Sequence, residues 1–149
     1  MSLLFTAFKG RLNPSFQLVN QIKSNTLLLT NSFSGLENDI NALTEKHDTV
    51  YMLGVDKALG REVRIERCAK WNGDTIHTEF YTQALSDQMT AHQIKHHISD
   101  TPTRYLCNAA YYHMLCKNRN TVFIHIPSVK GMDKDFMAQL IAFFTDIAH

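Results

Sequence analysis

The chain has 149 residues, 44% hydrophobic and 19% charged, which is room for one domain spanning the chain with a real core. Fifteen basic residues against 14 acidic leave a net charge of +1, so no broad electrostatic field advertises a nucleic-acid or membrane partner. The apolar run at Leu3-Leu4-Phe5 is too short for a signal peptide, and no stretch approaches the roughly eighteen apolar residues of a membrane span, so a cytoplasmic location is expected.

Taken in order, Leu3-Leu4-Phe5 suits a first buried strand, and Lys9 to Pro14 carries turn residues. Ser15 is a candidate N-cap for a helix to about Lys23, with Phe16, Leu18, Val19 and Ile22 on its inner side. Thr26 to Thr30 suits a buried strand, and Phe33, Leu36, Ile40 and Leu43 then recur at helical spacing up to Lys46. Thr49 to Leu53 is a third strand expected to stop at Gly54, with Val55 to Gly60 as loop. Strands alternating with helices in this way predict an α/β fold with a largely parallel sheet covered by helices.

Arg61 to Cys68 alternates imperfectly and predicts another strand, and Asn72-Gly73 is a strong turn signal. Ser86 is a candidate cap for a helix from about Asp87 to His97, followed by loop or short strand at Ser99 to Thr103. Leu106 to Cys116 is apolar nearly all round, which predicts a buried helix. Thr121 to Ile126 is a strand that Pro127 terminates, and Asp133 to Ile147 is a final helix with Phe136, Leu140, Phe143, Phe144 and Ile147 as its stripe.

The three cysteines, Cys68, Cys107 and Cys116, have the spacing of neither a zinc site nor a disulfide framework, so free thiols are available for chemistry. Cys107 falls at the mouth of the buried helix, where backbone N–H groups and the helix dipole favour a thiolate and can also hold an oxyanion. His125, at the end of the following strand, is the candidate general base. An imidazole in that role needs a carboxylate to orient it, and spacing leaves Glu62, Glu66 and Asp56 open. The plainer alternatives are a buried cysteine serving as a small hydrophobe and a histidine satisfied within the core.

Three segments, Glu66-Arg67-Cys68-Ala69, Tyr105-Leu106-Cys107-Asn108 and Phe123-Ile124-His125-Ile126-Pro127, carry a resemblance. In this order they resemble the Glu-Arg-x-Ala, aromatic-x-Cys-Asn and Phe-Ile-His-x-Pro patterns of the pyroglutamyl peptidase I (pyrrolidone-carboxylate peptidase) family of cysteine peptidases. Leu4 to Phe8, Asn13 to Phe16 and Val50 to Gly54 are similar to further parts of that family. The resemblance implies a three-layer α/β/α sandwich with a mixed, largely parallel sheet. It also implies a triad of Cys107, His125 and Glu66, no metal or organic cofactor, and removal of N-terminal pyroglutamate from peptides with a blocked N-terminus. It leaves a homo-oligomer open. A lactam pocket would draw on Phe8, Asn13, Val55 and Asp56, with Trp71 as a further aromatic wall.

The chain departs from the family pattern at its loops. The first is contracted to Phe8-Lys9-Gly10-Arg11-Leu12, Val55-Asp56 stands where the family often has Gln, and Pro102-Thr103 replaces Ala-Gly before the cysteine motif. The alternative function is therefore a catalytically inactive binding or interaction module on the same fold. His92, His96 and His97 include an i, i+4 pair, which reads as a solvated helix face in preference to a metal site. Tyr111 and Tyr112 follow Cys107, and at least one is expected in the core with its hydroxyl satisfied near the site.

Overall fold

Short β-branched and leucine-rich runs alternate with amphipathic stretches, and each run becomes a strand that a helix covers. A computed structural model describes residues 2–149. The elements are β1 (Leu3–Phe8), α1 (Pro14–Ile22), β2 (Thr26–Leu29), α2 (Phe33–Asn41), β3 (Thr49–Asp56), β4 (Val63–Glu66) and β5 (Cys68–Trp71). They continue with β6 (Asp74–His77), α3 (Thr82–Ala91), β7 (His96–Ser99), α4 (Tyr105–Lys117), β8 (Thr121–Pro127) and α5 (Lys134–Ala148).

Six strands form one sheet in the order β2-β1-β3-β8-β4-β7. All neighbours are parallel except β4 and β8, so the sheet is mixed. Side chains of a strand alternate between faces, and the two faces collect separate cores. Ile65, Ile124, Ile126 and Phe5 face a cluster with α1, α3 and α5, whose Phe136, Leu140, Phe143 and Phe144 are buried there. Leu4, Phe8, Met52 and Phe123 face α2 and α4. Each fully buried Leu or Phe of these clusters contributes about 1.5–3 kcal/mol through removal of apolar area from water. The result is three layers, helix, sheet and helix. Among the described residues no helix is long and apolar enough to cross a membrane.

Several boundaries differ from the sequence expectation. The cap of α1 is Asn13, not Ser15: its side-chain oxygen accepts from the Ser15 backbone N–H at 2.8 Å, and Pro14 opens the helix where its missing N–H costs nothing. The helix α2 ends at Asn41, short of Lys46. Strand β3 passes through Gly54 and ends at Asp56, because β8 offers paired partners as far as Pro127. The Arg61–Cys68 strand is two strands, β4 and β5, that diverge at Arg67. Asn72 and Gly73 both take positive φ, 49° and 86°, and turn β5 into β6 as their sequence demands.

The largest difference lies between Thr82 and Ser99. Ser86 is inside α3 and not at its start, and the chain leaves the helix through Gln93 at φ 59°. His96 and His97 belong to β7, where they pair with Val63 and Arg64. Leu85 and Met89, one helical turn apart and both buried, set the true inner face of α3. The histidines therefore share no helix face: His92 Nδ1 lies 2.8 Å from the Gln88 carbonyl oxygen and His96 Nε2 lies 2.7 Å from Ser86 Oγ. No cluster of metal-ligating side chains occurs among the described residues.

Candidate active site

The connection from β1 through α1 runs over one face of the sheet, and that from β2 through α2 returns over the other. Open α/β sheets bind ligands beside such reversals, at the carboxyl ends of the strands. Near this end Gly54 of β3 pairs with His125 of β8, and His125 pairs with Arg64 of β4. Alternation puts Gly54, Asp56, Arg64, Glu66, Phe123 and His125 on the face that α4 covers.

The helix α4 brings Cys107 down onto this row. Cys107 lies in the first turn, where the backbone N–H groups have no partner within the helix. Tyr105, the first residue of the helix, takes φ 66°, an uncommon conformation for an aromatic residue and one that marks strain two residues before the thiol. Asn108 fixes the other side of the turn, accepting from Lys70 N–H at 2.9 Å and donating to the Lys70 carbonyl at 2.5 Å. Gly54 makes room for the sulfur: a Cβ there would stand 2.9 Å from Cys107 Sγ and 2.6 Å from Phe123 Cζ. Gly54→Ala is therefore expected to cost about 2 kcal/mol of stability by overpacking. An unchanged melting temperature would refute this close contact.

His125 is 3% exposed and its ring lies 4.7 Å from that of Phe123. Its Nδ1 is 2.8 Å from Glu66 Oε2, and because an ionised carboxylate can only accept, Nδ1 carries the proton and Nε2 is left to accept one. Of the three carboxylates open from spacing, Glu66 is the one on His125. Asp56 binds Arg64, and Glu62 lies 3.7 Å from His97. No hydrogen bond joins Cys107 Sγ to the imidazole among the described residues; thiol and imidazole share one face of the sheet beside Gly54.

Arg64 is a member of this site that spacing did not reveal. Its Nε donates to Glu66 Oε2 and its Nη2 to Asp56 Oδ2, both at 2.6 Å, and Nη2 stands 3.5 Å from His125 Nδ1. Arginine and imidazole thus converge as donors on one carboxylate oxygen. The other, Glu66 Oε1, is buried without a partner. Tyr111, from α4, donates to the Glu66 carbonyl at 2.8 Å, which places its hydroxyl beside the site. A charged residue alternating along a strand reads as solvated, and only the pairing of β4 with β8 turns Arg64 inward.

The electrostatics run against one expectation. Burial pushes the Cys107 thiol up to about 12, helped by the carboxylates of Asp56 and Glu66 and opposed by Arg64. That direction runs against the thiolate that the helix N-terminus led one to expect. Asp56 behaves oppositely: burial works to raise it, but the Ala58 N–H and Arg64 together hold its carboxyl below the usual range.

The residues expected around a lactam are dispersed. Phe8 is buried in the core under α2 and α4. Asn13 is occupied as the cap of α1, and Val55 packs against the cluster on the opposite face of the sheet. Asp56 faces the site but spends its oxygens on Ala58 and Arg64. Trp71 packs on Phe33 and His113, with ring centroids at 5.6 and 5.9 Å, and ties the β5–β6 hairpin to α2 and α4.

No family model and no curated protein sequence matches the chain. Solved structures do. Pyrrolidone carboxyl peptidase from Thermus thermophilus superimposes with a TM-score of 0.81 at 17% identity, over 99% of this chain and 100% of that one. The enzyme from Fervidobacterium islandicum AW-1 gives 0.78 at 20% identity, over 99% and 96%. Pyroglutamyl peptidase I from Bacillus amyloliquefaciens gives 0.81 at 15% identity, over 98% and 94%. Those identities speak to architecture alone, and the chain has the fold of the pyrrolidone carboxyl peptidases.

Proposed function

We propose that the protein is a cysteine exopeptidase that removes an N-terminal pyroglutamyl residue, with Cys107 as nucleophile, His125 as general base and Glu66 as the residue that orients it. The observation that carries this reading is the 2.8 Å contact of Glu66 with His125 Nδ1, on the face of the sheet where Cys107 lies against Gly54. Burial raises the Cys107 thiol, and in this reading its proton leaves as the attack begins. His125 Nε2 takes it while the sulfur bonds to the pyroglutamyl carbonyl carbon, and the unpaired N–H groups of the first turn of α4 hold the oxyanion. Collapse breaks the C–N bond, the departing amine takes the proton from His125, and a thioester remains. Water, deprotonated by His125, then attacks the thioester; pyroglutamate leaves and the thiol recovers its proton.

A second reading has its own support. No hydrogen bond joins the thiol to the imidazole among the described residues, and burial and two carboxylates push the thiol up, as a non-catalytic binding module on this fold would also have it. Hydrolysis of a pyroglutamyl amide reporter by the wild type, set against Cys107→Ala, separates the two.

A further inference from the structure

Two residues past the Gly54–His125 pair, Asp56 pairs with Pro127, and the two strands then open into loops that form the walls of a groove. Lys57, Leu59, Ser128, Val129, Lys130 and Gly131 line it. Each loop is braced within itself. Gly131 N–H donates to the Ser128 carbonyl at 3.0 Å and Leu59 N–H to the Asp56 carbonyl at 3.2 Å. A Cβ on Gly131 would meet the Leu59 carbonyl oxygen at 2.8 Å, so the loops touch at a position that only glycine fits.

The groove is charged with one sign. Lys57 and Lys130 are exposed and form no ion pair or hydrogen bond among the described residues. Of the carboxylates at the same two loops, Asp56 is matched by Arg64 at 2.6 Å and Asp133 by Arg61 at 2.8 Å, and Glu62, at the far end of the first loop, turns to His97 at 3.7 Å. A chain of net charge +1 thus concentrates uncompensated positive charge directly beyond the candidate base. The lining is partly apolar through the buried Leu59 and the exposed Val129, which suits the methylene stem of a side chain that ends in a carboxylate.

We propose that this groove receives the acidic residue that follows pyroglutamate in a substrate, making the protein selective for pyroglutamyl peptides with Glu or Asp next in sequence. The assignment rests on the peptidase reading for the placement of the scissile bond, but binding tests it separately. Fluorescently labelled pyroglutamyl-Glu-Glu and pyroglutamyl-Gln-Gln peptides are titrated against Cys107→Ala protein at low salt, and the same sequences as reporters are assayed with the wild type.

Two exposed lysine–carboxylate contacts are expected to favour the acidic peptide about five-fold, in Kd and in kcat/KM, with the preference shrinking as salt is added. Lys57→Glu with Lys130→Glu should invert it, while Lys46→Glu, in the loop before β3, should leave it intact. An acid preference in binding with no hydrolysis by the wild type would keep the groove and sink the peptidase. Hydrolysis without acid preference, or equal binding of both peptides, would sink the groove.

Discussion

Cys107→Ala should lower hydrolysis of a pyroglutamyl amide reporter by about 10⁴-fold or more while leaving the melting temperature within about 3 °C. In the proposed mechanism this removes the nucleophile and with it the thioester route, and a water molecule has neither the sulfur's nucleophilicity nor its position against Gly54. Equal activity in both proteins would remove Cys107 from the mechanism. Glu66→Gln is the informative companion. The amide can accept from His125 Nδ1 just as the carboxylate does, but it can also present its NH₂ and select the wrong tautomer, with Nε2 protonated and unable to take the thiol's proton. A loss of roughly 10²–10⁴ in kcat with little change in KM is expected, by analogy with the orienting carboxylate of serine triads. A change confined to KM would place Glu66 in substrate binding instead.

Much of this site was legible because its chemistry sits in short local patterns. Cys107 lies in the first turn of a largely apolar helix, and His125 lies near the end of a short apolar strand, two residues before a proline. These features follow from neighbours in the chain, as does the Asn72-Gly73 turn. What lies between Arg64 and Asp56 follows from none. The antiparallel entry of β4 beside β8 sets Arg64 opposite His125, a partner 61 positions away, and no periodicity within β4 carries that information. The upward push on the thiol was hidden for the same reason: the helix N-terminus belongs to the local sequence, whereas the burial and the two carboxylates that raise Cys107 come from distant strands. The helix assigned to Asp87–His97 failed differently. Ser86 satisfies a capping pattern, but Leu85 and Met89 start the buried stripe earlier, and the pairing of β7 with β4 draws His96 and His97 into the sheet.

Arg64→Met should be among the most damaging single changes to the fold. The Arg64 side chain is 15% exposed, and it sits between Glu66, at 2% exposure, and Asp56 at 27%. Breaking a buried pair by removing one partner leaves the other charge uncompensated, which costs about 3–5 kcal/mol, or roughly 6–20 °C in melting temperature for a chain of this size. Removing all the charges together is different: Arg64→Met combined with Asp56→Asn and Glu66→Gln should recover most of the loss, since the desolvation of three charged groups disappears with them.

The pH dependence gives an independent check. Asp56 is held below the usual carboxylate range in the folded protein, so its contribution is present above the unfolded carboxylate pKa and is lost as the pH falls through the lowered folded value. The gap in stability between wild type and Arg64→Met should therefore begin to narrow below about pH 4, where the unfolded carboxyl takes up its proton, and shrink further as the pH falls through the lowered folded value of Asp56. A gap that stays constant from pH 7 to pH 3, or a single-variant loss below about 1 kcal/mol, would mean that Arg64 serves the site by packing and not by charge.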